Sequence, residues 1–138
     1  MHVMHQAMYR LCDRIRITDA RLRTYWYRLV LGANVHAKCL LGKGARLDHP
    51  WRIWLGERCT LEQDVWLNVG RESATLHIGP YTFLGRGVQI DVVRRVNIGR
   101  DCLIAPRVFI TDHNHATTPG QPMFRQPCEA QEVTVGAD

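Results

Sequence analysis

Residues 112–115 read Asp-His-Asn-His, which sets two imidazoles, His113 and His115, beside a carboxylate and a carboxamide. A neutral imidazole, with an unperturbed pKa of about 6.5, can take a proton from a hydroxyl near neutral pH. That service is needed whenever an alcohol attacks a carbonyl carbon, because a hydroxyl is a poor nucleophile until its proton begins to leave. The two histidines are therefore candidates for a general base, and Asn114 between them is a candidate for holding a polar substrate. The five cysteines, Cys12, Cys39, Cys59, Cys102 and Cys128, offer less: no C-x-x-C pair occurs, which argues against a zinc ribbon or a dithiol redox site. An odd cysteine count without a secretory signal points to reduced thiols.

The elements that position these groups follow from a period of six. Aliphatic residues recur in four runs: Val35, Leu41, Leu47, Ile53; then Leu55, Leu61, Leu67; then Ile78, Leu84, Ile90, Val96; then Ile98, Ile104, Ile110. A restart motif, aliphatic-x-aliphatic-Gly, ends at Gly56, Gly79, Gly99 and Gly136, with spacings of 23, 20 and 37 between the aliphatic residues at 55, 78, 98 and 135. Four residues after each aliphatic stands a small or β-branched residue: Cys39, Ala45, Cys59, Val65, Thr82, Val88, Cys102, Val108. Both sets point inward from short strands. Three such strands per turn of about 20 residues make a three-sided parallel coil whose turns stack at about 4.8 Å. The glycine beside each restart suits a corner with positive φ, or one where backbones crowd. An inward Cys102 is packing and not a nucleophile.

After Ile110 the hexad phase lapses until Val135, so an excursion leaves the coil at about 113–132. It carries Pro119, Gly120, Pro122 and Pro127 and so reads as an ordered loop. A histidine where a rigid coil meets such a loop is well placed for catalysis. Asp91 lies 13 residues after the restart at 78, and Thr111 lies 13 after the restart at 98. Asp91 is thus expected one coil below Thr111, near His113, where a carboxylate could bind a substrate hydroxyl or hold an imidazole.

Residues 3–31 read as helical. Met4, Met8, Leu11, Cys12 and Ile15 share one face, Thr18-Asp19 could cap a second helix, and Leu22, Tyr25, Trp26, Leu29 and Val30 form another stripe ahead of Gly32. We expect residues 1–33 to form a cap over the open edge of the first coil, with 34–138 as the β-helix. The many arginines of this segment also admit contact with an acidic membrane surface.

Segments such as Ile78-Gly-Pro-Tyr-Thr-Phe and Ile98-Gly-Arg-Asp-Cys-Leu, and the stretch from Ile98 through Asp112-His113-Asn114-His115 to Pro119, resemble the hexapeptide-repeat acyltransferases. They are closest to enzymes that O-acetylate sugars and cell-surface polysaccharides. The resemblance spans about residues 30 to 138. It implies a mainly β fold, a single-stranded left-handed parallel β-helix with an N-terminal α-helical segment, and direct acetyl transfer from acetyl-CoA without a metal. It places the general base on His113, with His115 as fallback, and it aligns Phe83 and Gly85 with an aromatic residue and an asparagine that line the sugar pocket. The asparagine is absent here. It further implies a homotrimer with sites between subunits, and later coils that supply much of the coenzyme A site. Against that pattern, the chain is expected to be incomplete at its carboxyl end, since it stops one restart motif into a new coil.

Two alternatives accompany this reading. One is a zinc enzyme like the β-helical carbonic anhydrases, with His77 and His113 spaced 36 apart; the only further histidine nearby is His115, two residues on. The other is a β-helix without catalysis. The net charge of +5 fits a ligand bearing phosphates, such as coenzyme A. The arginines are scattered and no nucleic-acid motif occurs, so nucleic acid is not an expected partner. No apolar run is long enough to span a membrane, and the amino-terminal residues lack the apolar stretch of a secretory signal, so a cytoplasmic setting is expected.

Overall fold

The computed structural model describes residues 2–137. The six-residue phase becomes three parallel sheets arranged around one core, wound in four full coils. The first coil holds β1 (Asn34–Val35), β2 (Leu40–Leu41) and β3 (Arg46–Asp48). The second holds β4 (Ile53–Leu55), β5 (Thr60–Leu61) and β6 (Trp66–Val69). The third holds β7 (Thr75–Ile78), β8 (Phe83–Leu84) and β9 (Gln89–Val92), and the fourth β10 (Arg95–Ile98), β11 (Leu103–Ile104) and β12 (Phe109–Thr111). β15 (Val133–Val135) adds a fifth strand to the first sheet. The restarts set the register: Val35, Leu55, Ile78, Ile98 and Val135 stack on one another in turn.

Why this sequence winds rather than folding into a sandwich is visible in the core. The aliphatic column is buried from Val35 through Ile98, and Leu41, Ile53, Leu67, Leu76, Leu84 and Ile90 are wholly enclosed. Burial of each such side chain stabilises by about 1.5–3 kcal/mol. The second inward column is buried too and makes a specific contact. Cys39, Cys59 and Cys102 each place Sγ against the carbonyl oxygen of Gly56, Gly79 and Gly136, at 3.0, 3.1 and 3.0 Å. Thr82 does the same with its hydroxyl, donating to Gly99 at 2.8 Å. Four members of one column thus bond to the glycine carbonyl of the coil above, so these thiols serve packing. The adjoining Cys59 thiol, together with burial, pushes the Cys39 thiol up, away from the reactive thiolate.

The restart glycines Gly56, Gly79 and Gly99 are there for crowding. Positive φ occurs two residues later, at Arg58, Tyr81 and Asp101 on one edge and at Gly44, Asp64, Gly87 and Arg107 on another. A Cβ on Gly79 would stand 2.6 Å from the backbone nitrogen of Arg100 and 2.6 Å from the carbonyl carbon of Gly99. Backbone cannot yield as a side chain can, so Gly79→Ala is expected to lower stability by about 1–3 kcal/mol. Gly70, outside the restart motif, would meet only the Val92 carbonyl oxygen, at 3.8 Å, and Gly70→Ala should stay within about 0.5 kcal/mol. Urea unfolding of both variants checks this. Equal midpoints would show that crowding is not the reason for glycine.

The amino-terminal segment is one helix, α1 (His2–Leu29), and not two. Thr18 does not cap a second helix because its hydroxyl donates back to the Arg14 carbonyl at 2.9 Å, inside the same helix. The face that meets the first coil also differs from the apolar stripes expected to do so. Met4, Met8, Leu11, Ile15, Leu22, Tyr25, Trp26, Leu29 and Val30 are all exposed, as is Cys12. The docking face is Ala20, Thr24 and Tyr27, and it is held by polar groups. Thr24 donates to the Cys39 carbonyl at 2.9 Å, Tyr27 to the Ala45 carbonyl at 3.2 Å, and Arg23 to the Leu41 carbonyl at 2.8 Å. These carbonyls are the open edge of the first coil, and the helix satisfies them as a missing coil would. No helix among the described residues is long and apolar enough to cross a membrane.

Candidate active site

The ledge beside His113 begins with strand pairing. β12 lies in parallel register on β9, which sets Thr111 directly over Asp91, and β9 lies on β6, which sets Asp91 over Asn68. Asn68 donates through Nδ2 to Asp91 Oδ1 at 2.9 Å, which orients the carboxylate along the outer face. Beyond Thr111 the chain bends at Asp112 and starts β13 (His113–His115). β13 pairs antiparallel with β14 (Cys128–Ala130), so His113 faces Ala130, Asn114 faces Glu129 and His115 faces Cys128. This two-stranded arm is the excursion. Its tip is tied by the buried Gln126, which accepts from the Thr118 amide at 2.7 Å and donates to the carbonyls of Thr118 and Gln121 at 3.1 and 2.9 Å. Its base is tied by the Gln131 amide, which donates to the Asp112 carbonyl at 2.9 Å.

Asp112 takes a part that its place in the sequence does not announce. Its side chain is fully enclosed. Its carboxylate accepts three successive backbone amides of the preceding coil, Val93 at 3.0 Å and Arg94 and Arg95 at 2.7 Å. It also lies 3.1 Å from His113 Nδ1. Burial alone would raise its pKa, but the amides of Val93, Arg94 and Arg95 and the His113 ring outweigh it and hold the carboxyl below the ordinary carboxylate value. The only signal available beforehand was adjacency to His113, and on a regular strand neighbouring residues point to opposite faces. The bend at Asp112 removes that opposition.

The His113 ring is thereby oriented. Its side chain is 15% exposed, and Nδ1 lies 3.0 Å from Thr111 Oγ1 as well as 3.1 Å from Asp112 Oδ1. An ionised carboxylate can only accept, so the neutral imidazole carries its proton on Nδ1 and presents Nε2 as a lone pair. A carboxylate that fixes the tautomer and would stabilise an imidazolium is the arrangement a general base requires.

The other candidates are distributed unevenly. Asn114 and His115 are exposed on the arm, with His115 Nδ1 3.8 Å from Cys128 Sγ. Phe83 is half-buried on β8 between Thr60 and Leu103. It belongs to the second sheet, whereas Asp91 and Thr111 belong to the third, so one chain does not gather Phe83 and His113 on one face. His77 lies on the first sheet, where it stacks on Trp54 with ring centroids 4.4 Å apart and planes 1° from parallel. Burial, then the Arg95 charge, lowers its pKa. Stacking accounts for His77, and no cluster of three potential metal ligands occurs among the described residues.

No family model matches the chain. It is 40% identical over 57 residues to an Escherichia coli K12 protein described as a lipopolysaccharide biosynthesis O-acetyl transferase, WbbJ. The match takes in 36% of this chain and 29% of that relative, so the chain spans under a third of the relative's length. Among solved structures, serine acetyltransferase isoform 3 from Entamoeba histolytica, crystallised with cysteine, is 18% identical. The superposition covers 78% of this chain and 45% of that one, with a TM-score of 0.29. The parallel coil and the partial sequence match both accord with the resemblance to hexapeptide-repeat acyltransferases.

Proposed function

We propose that this chain carries the catalytic ledge of an acetyl-CoA-dependent O-acetyltransferase, with a sugar hydroxyl of a cell-surface polysaccharide or its precursor as acceptor. The observation that carries the reading is the His113 ring, held by the enclosed Asp112 at the root of the arm and one coil above Asp91. In this mechanism the sugar oxygen attacks the thioester carbonyl as His113 Nε2 takes its proton. The C–S bond then breaks, the acetyl group stays on the sugar oxygen, and the imidazolium returns the proton to the departing coenzyme A thiolate. Asp112 is the positioning residue, since it steadies the imidazolium while the tetrahedral intermediate lasts.

Asp91, Asn114 and His115 are the acceptor-binding candidates of this reading, because all three belong to the same ledge and arm. Phe83 faces another side of the triangle, so it would reach an acceptor from a neighbouring copy. A homotrimer with sites between subunits meets that requirement. The similarity to the lipopolysaccharide O-acetyl transferase supports the acceptor class, and direct transfer needs no metal. The reading places the chain in the cytoplasm, where acetyl-CoA is made.

The test is turnover. With acetyl-CoA and a panel of nucleotide sugars and glycolipids, the chain should release free thiol at a rate that depends on the acceptor, and mass spectrometry should find an O-acetylated product. Folded protein that acetylates no member of the panel would overturn the proposal.

A further inference from the structure

The face of α1 turned away from the coil carries an unbroken four-three repeat. Met4, Met8, Leu11, Ile15, Thr18, Leu22, Tyr25 and Leu29 succeed one another at alternating steps of four and three. This is the spacing of a coiled-coil seam over about four heptads. The seven large members are all exposed, from 49% at Tyr25 to 75% at Leu29. The residues that hold α1 on its own coil, Ala20, Arg23, Thr24 and Tyr27, lie about half a helical turn away. The helix therefore has one face docked and a second, narrower face that matches another helix.

We propose that α1 pairs in parallel with α1 of a second copy of this chain, through this seam. The flanks choose both partner and direction. One flank holds Ala7, Arg14, Arg21 and Arg28; the other holds His5, Cys12, Asp19 and Trp26. In a parallel pair, each residue of the first flank meets the residue five positions on in the partner's second flank. Arg14 then meets Asp19, and Arg21 meets the ring of Trp26, an ion pair and a cation–π contact. Asp19 is 54% exposed even though its Oδ2 already holds Arg23 at 2.7 Å, so it can take a second donor. An antiparallel pair would set the arginine flank against itself. A helix lying on an acidic membrane would be served by cations along both borders of a broad apolar face, and here only one border is basic. The pairing is independent of the chemistry at His113, and the turnover assay can fail or succeed without bearing on it.

Disulfide trapping in the full chain tests it. With Cys12 and Cys128 replaced by serine, Leu11→Cys places a thiol in the seam and Gln6→Cys places one on the opposite face. Under mild oxidation Leu11→Cys should convert to a covalent dimer while Gln6→Cys stays at background. Trapping of both alike, or of neither, would overturn the pairing. Failure of Leu11→Cys to trap, together with sedimentation on phosphatidylglycerol vesicles, would overturn it in favour of a membrane-facing helix.

Discussion

His113→Ala is expected to lower kcat for acetyl transfer by about 10²–10⁴-fold, the range that a positioned general base contributes. The ring lies on the solvent side of Asp112 and forms no part of the aliphatic column, so the melting temperature should change little. Among the described residues His115 has no carboxylate partner, and it lies on the exposed part of the arm, so His115→Ala should act chiefly on KM for the acceptor. The decisive comparison is kcat for the two variants, with far-UV dichroism confirming that each keeps its coil. Equal rates for wild type and His113→Ala would remove His113 from the mechanism.

Asp112→Asn should fail in two ways at once. The carboxamide cannot accept from all of Val93, Arg94 and Arg95 and also receive the His113 proton, and its NH2 group would face donors. Loss of charge-assisted bonds at an enclosed site costs about 1.5–3 kcal/mol. When the carboxamide donates to Nδ1, the ring is left with its proton on Nε2, where it cannot act as a base. We expect kcat to fall by about 10²-fold or more, while KM for acetyl-CoA stays near the wild-type value. A role confined to stability would not separate kcat from KM in this way. The pH dependence follows from the lowered pKa of Asp112. Its stabilisation is complete above its ordinary value of 3.8 and is lost as the pH falls through the lower folded-state value. The stability gap between wild type and Asp112→Asn should therefore be constant at neutral pH and narrow below about pH 4. A gap that persists unchanged into strong acid would show that the Asp112 charge is not its source.

The coil was legible because one steric rule sets every inward position: an aliphatic residue each sixth place, and a small residue four on. The restarts at Leu55, Ile78 and Ile98 then fix which strand lies on which, and the stacking of Asp91 under Thr111 follows by counting. The helix was not legible in the same way. Its apolar stripe is stronger than its docking face, so hydrophobic spacing selects Met8, Leu11 and Leu22, whereas Thr24, Tyr27 and Arg23 dock by bonding to carbonyls. Hydrogen bonds to an open strand edge leave no periodic trace. The part of Asp112 was hidden for a related reason, because its partners are main-chain amides 17 to 19 residues earlier, and an amide carries no side-chain signature. The restart glycines admitted either positive φ or crowding, and only the backbone of the next coil decides between them.

The inserts also share an address. The short one between β6 and β7 and the long arm between β12 and β15 both interrupt the passage from the third sheet to the first. The remaining two corners are short turns, with a left-handed residue recurring at Arg58, Tyr81 and Asp101 on one and at Gly44, Asp64, Gly87 and Arg107 on the other. A spiral of fixed pitch can lengthen only outward, and this one does so along a single vertical seam of the prism. On the proposed reading, new acceptor preferences could thus accumulate by changing what hangs from that seam, while the column of imidazole, carboxylate and threonine at its root keeps its dimensions.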